Sequence, residues 1–434
     1  MLVIIYDMLM SSKFHAFTVL VGLSLLTACS LLRYQSFTDK MKTAPLFAAL
    51  ATSVVAQTAT TSSPLTEYTL QADNITAIYI PYGARLVSLQ VPDRNGMNTD
   101  VIVGYSNSSQ YTVDSATVHT YFGAVVGRYA NRIKNHTFTL DGTTYNVPGN
   151  DNGGLDTLHG GTVGYDQRNW TFLTQNASSV SFSLLDTSFE NFPGTVLTTA
   201  TYSVSSYASG PQGQLRPRLT TKLVSIALDQ PTPIMLSTHN YWNLNAFQAP
   251  TILNDTYIWM PYSDRYIQTD GILIPNGTIG LTSQNPALDF TSPKLMGTAI
   301  DQTAGHNYCG TGCTGIDNAF IVDRPPTVST DSVIPVIHAW SETTGIQMDV
   351  STNQQGLQIY TCMNQNGSIP VKASQLRNTT GAAQYINKFG CFVIEPQVYI
   401  DGINNPQWGV TDLEVFSPDT GAAINYATYD FSTF

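Results

Sequence analysis

The chain has 434 residues, 42% of them hydrophobic and 11% charged, enough apolar material for one large core, and all-β domains often exceed 200 residues. A formal charge of −11, with no Lys/Arg cluster in the globular part, argues against nucleic acid and anionic membrane surfaces as partners. A neutral small molecule fits better than a phosphorylated one.

Two apolar segments open the sequence. Residues 14–32, "FHAFTVLVGLSLLTACSLL", are about long enough to anchor in a bilayer. Residues 41–56, "MKTAPLFAALATSVVA", have the form of a complete signal peptide: Lys42, an apolar stretch over 44–55, and small Val54 and Ala56 before the cut that leaves Gln57 first. A secreted protein needs one such signal. The expectation is therefore that synthesis starts at Met41, that residues 1–40 extend the frame upstream, and that cleavage follows Ala56. Membrane anchoring through 14–32 is the rival. A Thr/Ser linker, 57–64, then leads into one domain over 65–434.

From there the pattern is β. The stretch 75–96 reads as two strands, the second closing on a turn. "GRYANRI" (127–133) places two arginines in an apolar context. "HTFTLDGTTYNV" (136–147) alternates about Asp141–Gly142 and predicts a hairpin. "LHGG" (158–161) puts a histidine before two glycines, which admit close backbone approach to a ligand. Alternating segments follow at 179–186, 197–206, 219–229, 346–352 and 356–362. No helical periodicity persists beyond two turns. Strands spaced by Gly, Pro and Asn turns predict a large antiparallel sandwich.

His239 lies in "STHNYWNL" (237–244), where a strand runs into a turn. A hydrogen-bonded structural histidine is the plain reading of that residue alone. Glu395, in "FVIEPQVYID" (392–401), projects from an apolar strand. A carboxylate there is costly unless paired or used, and desolvation raises its pKa. A buried ion pair with Arg128 or Arg132 is the alternative to a chemical role.

Nine N-x-S/T sequons, at Asn74, Asn107, Asn135, Asn169, Asn176, Asn254, Asn276, Asn366 and Asn378, point to a secreted glycoprotein. Beyond Cys29 in the leader, Cys309, Cys313, Cys362 and Cys391 allow two disulfides in three pairings. No Cys/His group has zinc spacing.

"GRYANRI", "FTLDGTTY" leading to "LHGG", "FPG" (192–194), "THNYWNL", "DGILIPNG" (270–277), "GLQIYT" (356–361) and "EPQVYID" (395–401) together, and in this order, resemble the aldose 1-epimerase (galactose mutarotase) family over nearly all of 65–430. The resemblance implies a large twisted antiparallel β-sandwich and interconversion of the α and β anomers of free hexoses, galactose or glucose, without cofactor or metal. It implies Glu395 as the base at the C1 hydroxyl and His239 as the acid at the ring oxygen. Asn131, Arg132, His159, Asp270 and Gln358 match positions that hold sugar hydroxyls. A small neutral sugar is then the partner, with neither nucleic acid nor, in the mature form, a membrane. A secreted sugar-binding protein without catalysis is the alternative on the same scaffold.

Two expectations follow from these roles. If the strands of Gln358 and Glu395 pair antiparallel with those residues opposite, Cys362 comes opposite Cys391, and Cys309 bonds Cys313. Activity follows a bell-shaped pH profile, with a carboxylate limb below and a histidine limb above. The sequence also departs from the family pattern: Asn318 stands where a histidine is common, and extra residues lie between Gln358 and Glu395 and at "CGTGC".

Overall fold

Alternation of apolar and polar side chains sends every second residue of the long strands inward, and the strands stack about one shared core. The computed structural model describes residues 63–209 and 213–434. The leader segments and most of the linker lie outside these residues. Among the described residues no helix is long and apolar enough to cross a membrane.

Every strand ladder is antiparallel. A nine-stranded sheet is built on the long pair Thr195–Ser209 and Gln214–Ala227, continued by the C-terminal strand Ala423–Thr433. A four-stranded sheet comes from Tyr68–Ala72, Ile75–Ile80, Arg85–Pro92 and Asn98–Asp100. A six-stranded sheet carries the chemistry. In chain order its strands are β1 (Asn240–Trp242), β2 (Arg265–Thr269), β3 (Pro275–Leu281), β4 (Asp317–Ile321), β5 (Gly356–Tyr360) and β6 (Phe392–Gln397). Their spatial order is β1-β6-β5-β4-β2-β3. This is the antiparallel β-sandwich that the sequence predicts.

Trp242, Leu357, Ile359, Phe392 and Ile394 of this sheet share one core with Leu223, Val350 and Tyr429 of the large sheet and Leu70 and Tyr79 of the small one. Truncating such an aromatic to Ala typically costs about 3–5 kcal/mol. The predicted hairpin is present as Thr137–Leu140 paired with Thr143–Asn146. Two short helices that the sequence did not announce occur at Ser109–Ser115 (α1) and Met296–Asp301 (α2). At seven and six residues they are too short to impose a periodic pattern.

Arg128 joins two of the motifs. Its guanidinium donates to Asp186 Oδ2 (2.8 Å) and to the carbonyls of Pro193 (2.6 Å) and Gly194 (3.1 Å). The first arginine of "GRYANRI" thus clamps the "FPG" corner, and its partner carboxylate is Asp186, not Glu395. Both expected disulfides are present, Cys362–Cys391 and Cys309–Cys313.

Candidate active site

Register assembles the site. Asn240 pairs with Ile394, so His239, one residue before β1, comes level with Glu395 on β6. On the other side of β6, Gln358 of β5 pairs with Glu395, and Ala319 of β4 pairs with Gln358. Asp317 lies two residues from Ala319, on the same face of its strand. Phe392 and Ile394 enter the main core, which turns Glu395 and Gln358 to the opposite face. The result is a polar row of His239, Glu395, Gln358 and Asp317 across four neighbouring chain segments.

A second wall comes from the segment Arg132–Lys134, paired with Asp156–Leu158 so that Arg132 lies opposite Leu158. Asn131 and His159 flank this ladder in left-handed conformations, φ 62° and 51°. Their backbones and side chains interlock: Asn131 N–H donates to His159 Nδ1 (3.1 Å), and His159 N–H donates to the Asn131 carbonyl (3.1 Å). The glycines after His159 serve protein packing, not approach to a ligand. Gly160 has φ 91°, and a Cβ there would sit 2.1 Å from the Gly127 carbonyl oxygen. Arg132 Nε is held by Asp151 Oδ2 at 3.0 Å and faces Asp156 Oδ2 at 3.5 Å.

These walls enclose a cavity of about 280 Å³ lined by Asn131, Arg132, His159, His239, Gln358 and Glu395. Six of the seven predicted site residues are thus brought together. Asp270 is not: it is exposed in the turn between β2 and β3, where Oδ1 accepts the N–H groups of Ile272 (2.9 Å) and Ile274 (3.0 Å). Asp317, His119, Tyr121, Tyr241 and the segment Asn364–Ile369 also contribute to the lining. Asp317, which the family pattern also has, opens β4, and Tyr241 lies on β1 inside "THNYWNL"; no periodic signal marks the others. His119 and Tyr121 sit at left-handed positions of an irregular loop, and Asn364–Ile369 belongs to the added length between β5 and β6.

At the centre His239 Nε2 lies 3.4 Å from Glu395 Oε1. His239 Nδ1, Glu395 Oε2 and Gln358 Oε1 are buried without a protein partner. Buried polar atoms are ordinarily hydrogen-bonded, so three orphans around one cavity mark a place for a polar ligand. Gln358 donates from Nε2 to Asp317 Oδ1 at 2.5 Å, which aims its free oxygen. The His239 ring lies between Tyr121 and Tyr241, with centroids 5.6 and 5.0 Å away and ring planes about 30° apart. Burial pushes the Glu395 carboxyl well up, and the negative charge of Asp317 adds to the rise. Burial pushes the His239 imidazole down to about 3, with Arg85 and His119 acting in the same direction. His159 is lowered too, first by burial and then by the charges of His239 and Arg132.

His159, His239 and Glu395 each bring one potential ligand atom within 4.8 Å of the others, a spacing that could hold a metal. The hydrogen bond at His159 opposes that use. Because Nδ1 accepts from Asn131, the proton of the neutral ring resides on Nε2, which is then a donor rather than a metal ligand. The arrangement suits a polyol: donors at Arg132 and His159, an acceptor at Gln358, and an acid–base pair between them. The ion pair of Glu395 with Arg128 or Arg132 that the sequence left open is not formed, since those arginines bond Asp186 and Asp151.

Comparison with known proteins agrees. The family model for aldose 1-epimerase matches residues 66–414. A probable aldose 1-epimerase of Arthroderma benhamiae is 51% identical over 385 residues, 86% of this chain and 87% of that protein. The galactose mutarotase of Sus scrofa is 30% identical, covering 79% of this chain and 88% of its own. The crystal structure of a GalM/aldose epimerase homologue from C. elegans superposes with a TM-score of 0.67 at 24% identity, over 85% of this chain and 99% of that one. It shares the fold.

Proposed function

This chain belongs to the aldose 1-epimerase family, an isomerase family that interconverts sugar anomers, and from that premise we propose that His239 and Glu395 carry the two proton transfers on a free hexose such as galactose or glucose. Ring opening removes a proton from O1 and adds one to O5, so it needs two groups at the two ends of the O5–C1–O1 unit. Glu395 takes the O1 proton. The O1–H electrons form the C1–O1 double bond, the C1–O5 bond breaks, and O5 takes the proton of His239 Nε2. Rotation about C1–C2 presents the other face of the aldehyde. O5 then returns its proton to His239 as it attacks C1, and Glu395 returns the other to O1. The pair ends as it began, and no cofactor enters the balance.

The observation that carries this reading is the 3.4 Å approach of His239 Nε2 to Glu395 Oε1 in the wall of a cavity that also presents Asn131, Arg132, His159 and Gln358. Asn131, Arg132, His159 and Gln358 hold the remaining hydroxyls, with Asp317 acting through Gln358. A protein that only binds sugar would need these hydroxyl-holding groups but not a facing acid and base. Polarimetry of freshly dissolved α-glucose or α-galactose tests the reading: accelerated decay of rotation is expected, and decay at the uncatalysed rate would sink it.

Secretion is part of the same proposal. The 41–56 segment has the form of a cleavable signal, two disulfides are present, and all nine sequon asparagines are exposed. Disulfides persist in oxidising compartments, and glycans need surface sites. Sequencing the N-terminus of mature protein from the culture medium should find Gln57 first; any earlier residue would count against cleavage after Ala56.

A further inference from the structure

A histidine that the catalytic scheme does not use, His119, stands in the wall of the same cavity. Its Nε2 lies 2.8 Å from Oδ2 of Asp166, and the two side chains are 25% and 1% exposed. The partners are 47 residues apart: His119 is in the loop after α1, and Asp166 in the short turn Tyr165–Gln167. A carboxylate only accepts, so the shared proton is that of Nε2, and in the neutral ring Nδ1 is left as an acceptor. The ring cannot easily swing away. It stacks on Tyr121 with centroids 4.0 Å apart. The loop is tied to α1 by His119 N–H on the Asp114 carbonyl (2.8 Å) and by Thr120 N–H on Asp114 Oδ2 (2.9 Å). Both His119 and Tyr121 are left-handed, φ 55° and 60°, a conformation that costs free energy and persists where surrounding contacts impose it.

A rigid acceptor of fixed tautomer in a polyol site can recognise one hydroxyl. Arg132 and His159 can only donate there. The geometry points to the Asp166–His119 pair as a specificity-determining device, in which His119 Nδ1 accepts the hydrogen bond of one sugar hydroxyl other than that on C1. The inference rests on the epimerase reading of the cavity and adds to it a requirement for a hydroxyl at one particular ring carbon.

The test compares mutarotation kcat/KM for the parent hexose and for its 2-, 3-, 4- and 6-deoxy analogues. Wild type should disfavour the analogue lacking the hydroxyl bonded to His119 by roughly tenfold, the worth of one neutral hydrogen bond in a buried site, beside the penalties that the other hydroxyl-holding residues impose on other analogues. His119→Phe keeps a ring on Tyr121 but removes the acceptor, so that one ratio should fall toward unity while the others stay. Asp166→Asn offers an amide donor to Nε2 and transfers the ring proton to Nδ1. The same ratio should then collapse, and the fluorodeoxy sugar at that carbon, whose fluorine accepts but cannot donate, should gain relative to the parent. The pair has no such role if wild type shows no deoxy analogue penalised, or if every ratio persists in both variants. A wild-type protein inert toward the parent sugar would instead overturn the epimerase reading itself.

Discussion

Cys362 and Cys391 are bonded four residues beyond the point where Gln358 faces Glu395, on the continuations of the same two strands. The last ladder pair is Tyr360 with Val393, and extending that register brings the two cysteines level, with Cα atoms 5.4 Å apart. The bond therefore closes the excursion that supplies Asn364–Ile369 to the cavity, and it ties that wall to the strand bearing Glu395.

Removing the bond should loosen the wall before it unfolds the sheet. A disulfide of this separation, 29 residues, typically contributes about 2–4 kcal/mol. The Cys362→Ser/Cys391→Ser protein should melt several degrees lower. It should also show a raised KM with a smaller change in kcat, because the acid–base pair lies on β6 and beside β1, outside the excursion. Unchanged KM together with a lowered Tm would separate the wall from substrate binding.

Positioned acid or base catalysis contributes about 10²–10⁴-fold. Glu395→Gln preserves shape and removes the proton acceptor, and His239→Asn removes the donor. Each should lower kcat by about that factor while hexose binding, followed by calorimetry, largely survives. The two groups serve one proton exchange, so the double variant should lose less than the product of the single losses. A Glu395→Gln protein with wild-type mutarotation would exclude this carboxylate from the chemistry.

Much of the fold was legible in the sequence, and the physical reason is periodicity. Strand alternation announced the sandwich, whereas His239, Glu395 and Gln358 were read from the resemblance of their motifs to the family; those motifs lie in the β1, β5 and β6 segments, where a buried face fixes the register. Asp270, matched to the hydroxyl-holding residues by the resemblance, does not line the cavity: its Oδ1 accepts two N–H groups of its own turn, and side-chain bonds within loops leave no periodic trace. The glycines of "LHGG" were read as ligand-facing, whereas the Gly127 backbone occupies that space. His119, Tyr121 and the 364–369 wall were invisible: their positions depend on left-handed backbone and on a long excursion, both set by tertiary contacts.

Asn366 is the one predicted sequon that also lines the cavity. It is exposed, with Oδ1 accepting the Ser368 N–H (3.0 Å). A glycan there would stand at the mouth. Protein from a glycosylating host should gain kcat/KM on Asn366→Gln, whereas Asn135→Gln, outside the lining, should leave it unchanged. The gain should vanish in protein made without glycosylation. Occupancy of Asn366 by glycopeptide mass spectrometry, with no change in rate on its removal, would contradict this geometry.

The pH profile should reverse the order expected for separate residues. His239 and Glu395 form one unit that binds two, one or no protons, and only the singly protonated form can exchange one proton at each end of the sugar. Adding a second proton puts a cation in a buried site. His239 is held down to about 3, so the acid limb, lost as pH falls, should lie far below the ordinary histidine range. Removing the last proton leaves a buried carboxylate beside neutral imidazole. Burial and Asp317 raise Glu395, so the alkaline limb, lost as pH rises, should lie above the ordinary carboxylate range. Neighbouring charges should then move that alkaline limb in opposite directions. Arg132 lowers Glu395, so Arg132→Gln should shift the limb to higher pH. Asp317→Asn removes a charge that raises it and should shift the limb to lower pH. Stopped-flow polarimetry of kcat across pH reads both shifts. An alkaline limb that ignores both substitutions would assign it to some other group.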